Sequence, residues 1–144
     1  MVLQDQNFIN TRQKFMRKFL DVSSDILHGN YFNDRILKTV DGLLHTGYFW
    51  DLFKNPMVID EKFVFDFLAS LSNDIYILWD NNIFNQKINY PIFSGLEVLP
   101  QELGDLLSTL PSDIYLFDET FKWAFALTHE DVNDKRYCVA CFNK

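Results

Sequence analysis

Asp113-Ile-Tyr-Leu-Phe-Asp-Glu-Thr-Phe-Lys-Trp-Ala-Phe-Ala-Leu-Thr-His-Glu-Asp-Val-Asn-Asp-Lys-Arg-Tyr-Cys-Val-Ala-Cys-Phe142 carries the clearest structural signal in the chain. Asp113 to Phe117 is a short apolar run, Asp118-Glu-Thr120 is a polar break, and Phe121 to Thr128 is a second apolar run. Strand-length runs separated by turn residues read as a β-hairpin. Glu130-Asp-Val-Asn-Asp134 reads as a second turn and Arg136 to Phe142 as a third strand. Three consecutive antiparallel strands make a meander.

Outward from this stretch, the pattern stays strand-like back to about residue 73. Ile75-Tyr-Ile-Leu-Trp79 has strand length, Asp80-Asn-Asn82 reads as a turn, and Asn89 to Phe93 as a strand. Pro91 places that last strand at an edge, because proline cannot donate to a central ladder. Pro100 opens a helix whose inner face is Leu103, Leu106, Leu107 and Leu110, and Pro111 stops it. Proline suits the first helical turn, where its missing N–H is not needed.

Before residue 73 the spacing is helical. Phe8, Ile9, Phe15, Met16, Phe19 and Leu20 make one face of a helix from Gln6 to about Val22. Arg12 falls among them, so its stem is expected to pack while its head reaches water or a carboxylate. A second helix is expected from the capping pair Asn33-Asp34 to Gly47, with Ile36, Leu37, Val40, Leu43 and Leu44 inside. Tyr48-Phe-Trp-Asp-Leu-Phe53 reads as a short aromatic helix, and Asp60 to Leu71 as a third helix with Phe63, Val64, Phe67, Leu68 and Leu71 inward. The whole is one α+β domain, with N-terminal helices (about 1–72) packed on one face of a mostly antiparallel sheet (about 73–144) that ends in the meander.

At 144 residues the chain has the length of a single domain. A chain of this size buries roughly 68–70% of its unfolded surface, enough for a core without staples. Fifteen Phe, six Tyr and three Trp are more than that core requires. They imply a Phe-rich interior or, as the alternative, an aromatic-lined interface. The net charge of −7 excludes a basic footprint for nucleic acid and disfavours an anionic membrane surface. Nothing approaches the apolar length of a membrane span, and Met1-Val-Leu-Gln-Asp-Gln lacks a signal-peptide pattern, so a cytoplasmic location is expected.

Motifs for chemistry are sparse. Phosphate-binding glycine loops, a nucleophile elbow, H-E-x-x-H and calcium-loop spacing are all missing, and no cofactor is implied. Cys138 and Cys141 form C-x-x-C within a strand. Residues three apart on a strand point to opposite faces, so the sulfurs diverge and neither a disulfide nor a shared metal is expected. Of three histidines, His129 beside Glu130 is the best acid–base pair and defines an enzyme alternative. A third class is a structural or regulatory subunit that self-associates through Tyr48 to Phe53.

Charge is uneven. From Glu97 to Asp134 nine acidic residues face one basic residue, Lys122, a local balance of −8. Asp118 and Glu119 lie at one end of the meander's central strand, and Glu130, Asp131 and Asp134 at the other. Trp123, Phe125 and Leu127 share one side of that strand, and Ala124, Ala126 and Thr128 share the other, where a helix or a partner can come close. Acidic edges around an aromatic anchor suit a basic protein partner. Carboxylates raise the association rate and desolvated aromatics set the lifetime. The candidate binding residues are therefore Asp118, Glu119, Trp123, Glu130, Asp131 and Asp134.

Asp113-Ile-Tyr-x-x-Asp118, Trp123 and Thr128-His-Glu130 resemble the C-terminal signature D-x-Y-x-x-D-x4-W-x4-T-H-E of a bacterial family of small uncharacterised proteins. Trp50-Asp-Leu-Phe53 followed by Asp74-Ile-Tyr-Ile77 fits the same organisation. In size, charge and style the chain also resembles immunity proteins of bacterial toxin systems, including contact-dependent growth inhibition. That resemblance implies a protein that blocks a cognate basic toxin, commonly a nuclease, by covering its active site. It implies no particular site residues.

Overall fold

The computed structural model describes residues 2–3, 5–21, 36–40, 43–47, 49–79 and 95–143. The fold is α+β. Among the described residues the chain runs β1 (Val2–Leu3), α1 (Asp5–Phe19), β2 (Ile36–Val40), β3 (Leu43–Gly47), a 3-10 helix (Phe49–Leu52) and β4 (Met57–Ile59). It continues with α2 (Glu61–Ala69), β5 (Ile75–Trp79), β6 (Gly95–Val98) and a helical segment over 100–109. β7 (Ile114–Phe117), β8 (Trp123–Val132) and β9 (Lys135–Phe142) complete it. Seven strands form one sheet in the order β1-β6-β5-β7-β8-β9-β4, and every neighbouring pair is antiparallel.

The β7–β8–β9 meander is present as expected, and α1 takes the place of the first expected helix. The division into a helical first half and a sheet second half does not hold. β1 and β4, both from the first half, form the two edges of the sheet. The expected turn at residues 80–82 and strand at 89–93 lie outside the described residues, as does the cap at Asn33-Asp34.

Helices cover both faces of the sheet, not one. On one face α1 and the 49–53 segment bury Phe8, Phe15, Phe19 and Phe53 against Leu78, Tyr115, Phe117, Ala124 and Val139. On the other, α2 and the 100–109 segment bury Val64, Leu68, Leu103 and Leu110 against Ile75, Ile77, Ile114, Leu116, Phe125 and Ala140. The reason is visible in β7, whose four residues are all buried. A strand covered on both sides reads as a continuous apolar run rather than an alternating one. Ala124 and Ala126 lie in the core on the α1 side, so the small-residue stripe admits a close-packed helix layer. The two cysteines are free and buried in opposite cores, Cys141 on the α1 side and Cys138 on the α2 side.

The second expected helix is replaced by a hairpin. β2 pairs with β3 in the register Ile36↔Gly47 to Val40↔Leu43. The two residues between the strands are Asp41-Gly42, a pair strongly favoured in two-residue hairpin loops, and Thr39, Val40 and Thr46 are β-branched. Ile36, Leu37, Val40, Leu43 and Leu44 fit a helical period, and the Asp-Gly signal outweighs it. The expected helix after Pro100 contains only one α-helical turn, Leu103–Leu106, between two 3-10 turns. In α2, Val64 and Leu68 are buried as expected, but Phe63 is 46% exposed.

Candidate functional site

β8 runs four residues further than its apolar run suggests. Glu130 and Asp131 belong to the strand, and the turn is only Asn133-Asp134, both at positive φ (53° and 63°). That geometry suits a tight two-residue hairpin loop, which Asn and Asp tolerate better than other side-chain-bearing residues. The tip places Val132 opposite Lys135 and Asp131 opposite Arg136. The acidic run counted from Glu97 to Asp134 therefore stops one residue before two cations that fold back across from it. Glu130, Asp131 and Asp134 are exposed, with Lys135 and Arg136 on the facing strand. Arg136 also approaches Glu61 of α2, at 3.6 Å.

Two of the expected binding residues are internal. Trp123 is 6% exposed and stacks edge-on against Phe67 of α2 at 5.1 Å. Its indole N–H donates to Asp118 Oδ2 at 3.0 Å. Asp118 is buried and accepts a second bond from the Thr120 backbone N–H at 2.9 Å. This carboxylate holds the β7–β8 turn together, with Phe121 at φ 52° completing it. Neither Trp123 as an aromatic anchor nor Asp118 as a rim charge is on the surface. Glu119 is exposed, at the opposite end of β8 from Glu130, Asp131 and Asp134. The six residues do not form one patch.

What the fold assembles instead is an acidic cleft at the Glu119 end. Ser72, Asn73, Asp74, Tyr76, Glu97 and Glu119 line an open space of about 330 Å³. β5 supplies Tyr76, β6 supplies Glu97 directly opposite it, and the turn after β7 supplies Glu119. The Tyr76 phenol is pushed above its ordinary range, first by burial and then by Glu97, Glu119, Asp74 and Asp118. Burial disfavours the charged phenolate most, and the nearby carboxylates add to that. Sequence reading missed Asp74 and Glu97 because strand pairing, not proximity in sequence, brings them to Glu119.

A second cluster surrounds Asp113. Its Oδ1 accepts from the Trp50 indole N–H (3.0 Å) and the His129 backbone N–H (3.0 Å). His129 Nδ1 lies 2.9 Å from both carboxylate oxygens. Tyr115 Oη accepts from the Trp50 backbone N–H at 3.1 Å, and the Trp50 ring sits edge-on to Tyr137 at 5.8 Å. The β8–β9 register slips between Leu127 and Asp131, with four steps along β8 against two along β9. Such a bulge re-aims side chains; here the His129 N–H points to Asp113. The acid beside His129 is therefore Asp113, sixteen residues away, while the Glu130 side chain is exposed and its N–H donates to Thr128 Oγ1.

The signature-like residues have structural partners. Asp113 and His129 bind each other, Tyr115 holds Trp50, Asp118 holds Trp123, and Thr128 Oγ1 donates to the Tyr137 carbonyl at 2.7 Å. Within the expected self-association segment Tyr48 to Phe53, Leu52 and Phe53 are buried in the chain's own core and Trp50 is partly buried against it. Arg12 is 1% exposed and donates to the Trp79 carbonyl at 2.9 Å, so its head is not at the surface. Among the described residues no three His, Cys, Asp or Glu side chains are grouped to hold a metal ion, and no helix is long and apolar enough to cross a membrane. In comparisons with known proteins, no family model, curated protein or solved structure matches this chain.

Proposed function

We propose that this chain is a cytoplasmic immunity- or inhibitor-type protein that neutralises a basic bacterial toxin by binding it, with no chemistry of its own. The observation that supports this reading is the acidic cleft, where Asp74, Glu97 and Glu119 converge around Tyr76. Carboxylates in such an arrangement steer a cationic surface and accept Lys or Arg side chains from it. A toxin whose substrate groove is basic, such as a nuclease, presents that surface at its active site, and covering the groove blocks the enzyme. The binding residues are then Asp74, Glu97 and Glu119, joined by the exposed Glu130, Asp131 and Asp134 only if the partner also spans the length of β8.

The test is co-expression with a basic nuclease-type toxin domain, sought first among the genes beside this chain's own, followed by purification and binding at several salt concentrations. Glu97→Lys with Glu119→Lys is expected to weaken binding at least tenfold, flatten its salt dependence and abolish growth rescue, with the fold intact by circular dichroism. Unchanged affinity and rescue in the folded double variant would refute the reading.

The Asp113–His129 pair favours a second reading, a small enzyme. A carboxylate bonded to Nδ1 fixes the imidazole so that Nε2 can act as a general base, and the His129 side chain is 40% exposed. Under this reading a folded His129→Gln variant loses the biological activity that Glu97→Lys/Glu119→Lys retains. The opposite pattern eliminates the enzyme.

A further inference from the structure

We draw no further inference here: the strongest candidate, the exposed apolar patch of Met57, Phe63 and Phe142 beside the edge strand β4, carries nothing because no feature of the structure shows what covers it.

Discussion

Replacing Asp113 by Ala tests the hydrogen-bonded hub most directly. The Asp113 side chain is only 12% exposed, and it accepts from the Trp50 indole and from the His129 backbone and ring. A hydrogen bond to a charged acceptor contributes about 1.5–3 kcal/mol, and a buried donor left without a partner costs about 1–3 kcal/mol. Water reaches the half-exposed His129 and recovers part of the loss, so Asp113→Ala should cost about 3 kcal/mol. In a chain of this length that lowers Tm by about 10 °C. The urea midpoint should fall by about 1.5 M at an ordinary slope for a small domain. Asp113→Asn should cost about half as much, because its amide oxygen still accepts from Trp50 while its NH2 opposes the ring N–H. His129→Ala should cost about 1 kcal/mol, since its ring is partly solvated. The assay is equilibrium urea unfolding followed by far-UV circular dichroism and by tryptophan fluorescence. The double variant Asp113→Ala/His129→Ala closes a cycle whose coupling energy should be about 0.5–1.5 kcal/mol. A loss below about 1 kcal/mol for Asp113→Ala would show that the hub does not hold the 49–53 segment to the sheet, and strict additivity in the cycle would show that the Asp113–His129 ring contact contributes nothing.

Gly95→Ala should destabilise by about 1–3 kcal/mol through overpacking, because a Cβ there would lie 2.9 Å from the Ile77 carbonyl oxygen and 2.5 Å from Leu78 Cδ2; a neutral thermal shift would refute that contact. Asp134→Gly should raise stability by about 0.5–1 kcal/mol by relieving a positive φ of 63° in the tight β8–β9 turn, and calorimetry showing a lower Tm would contradict it. Both cysteines should resist Ellman's reagent at pH 8 in the folded protein and react fully in denaturant, because burial raises both thiols, Cys138 from an ordinary 9.0 to about 12. For Cys138 the neutral thiol is favoured in the folded state, with the Glu61 charge adding to burial. Its contribution is therefore complete below about pH 9, where the unfolded thiol is also neutral, and is lost progressively as pH rises towards about 12. A Cys138→Ser variant should lose less stability than wild type between pH 9 and 11, and identical alkaline profiles would exclude this cause.

The meander was legible because its apolar runs and polar breaks are local. So was α1, whose Phe8, Arg12, Phe15 and Phe19 fall on one stripe and are all buried. The diverging cysteines followed from strand alternation alone. The 36–47 region went wrong because five apolar residues fit two periods, and the deciding signal was the Asp-Gly pair in the sequence between the two strands rather than the periodicity. The candidate site went wrong for two different reasons. Trp123 looked like a surface anchor, yet α2 covers the face it points to. The acidic count ended at Asp134, and the hairpin then folded Lys135 and Arg136 back across from Val132 and Asp131.

Composition and local pattern settled the α+β class, the C-terminal meander and the acidic character, since each depends on residues near one another along the chain. The tertiary structure alone decided that helices cover both sheet faces, that Asp113 meets His129 and Trp50, and that Asp74 and Glu97 join Glu119 at one end. These contacts join residues from 16 to 63 positions apart, through a strand order that places β5 between β6 and β7. No local period encodes such an order. It is set by which apolar faces can be buried together, and the electrostatics of the surface follows from it.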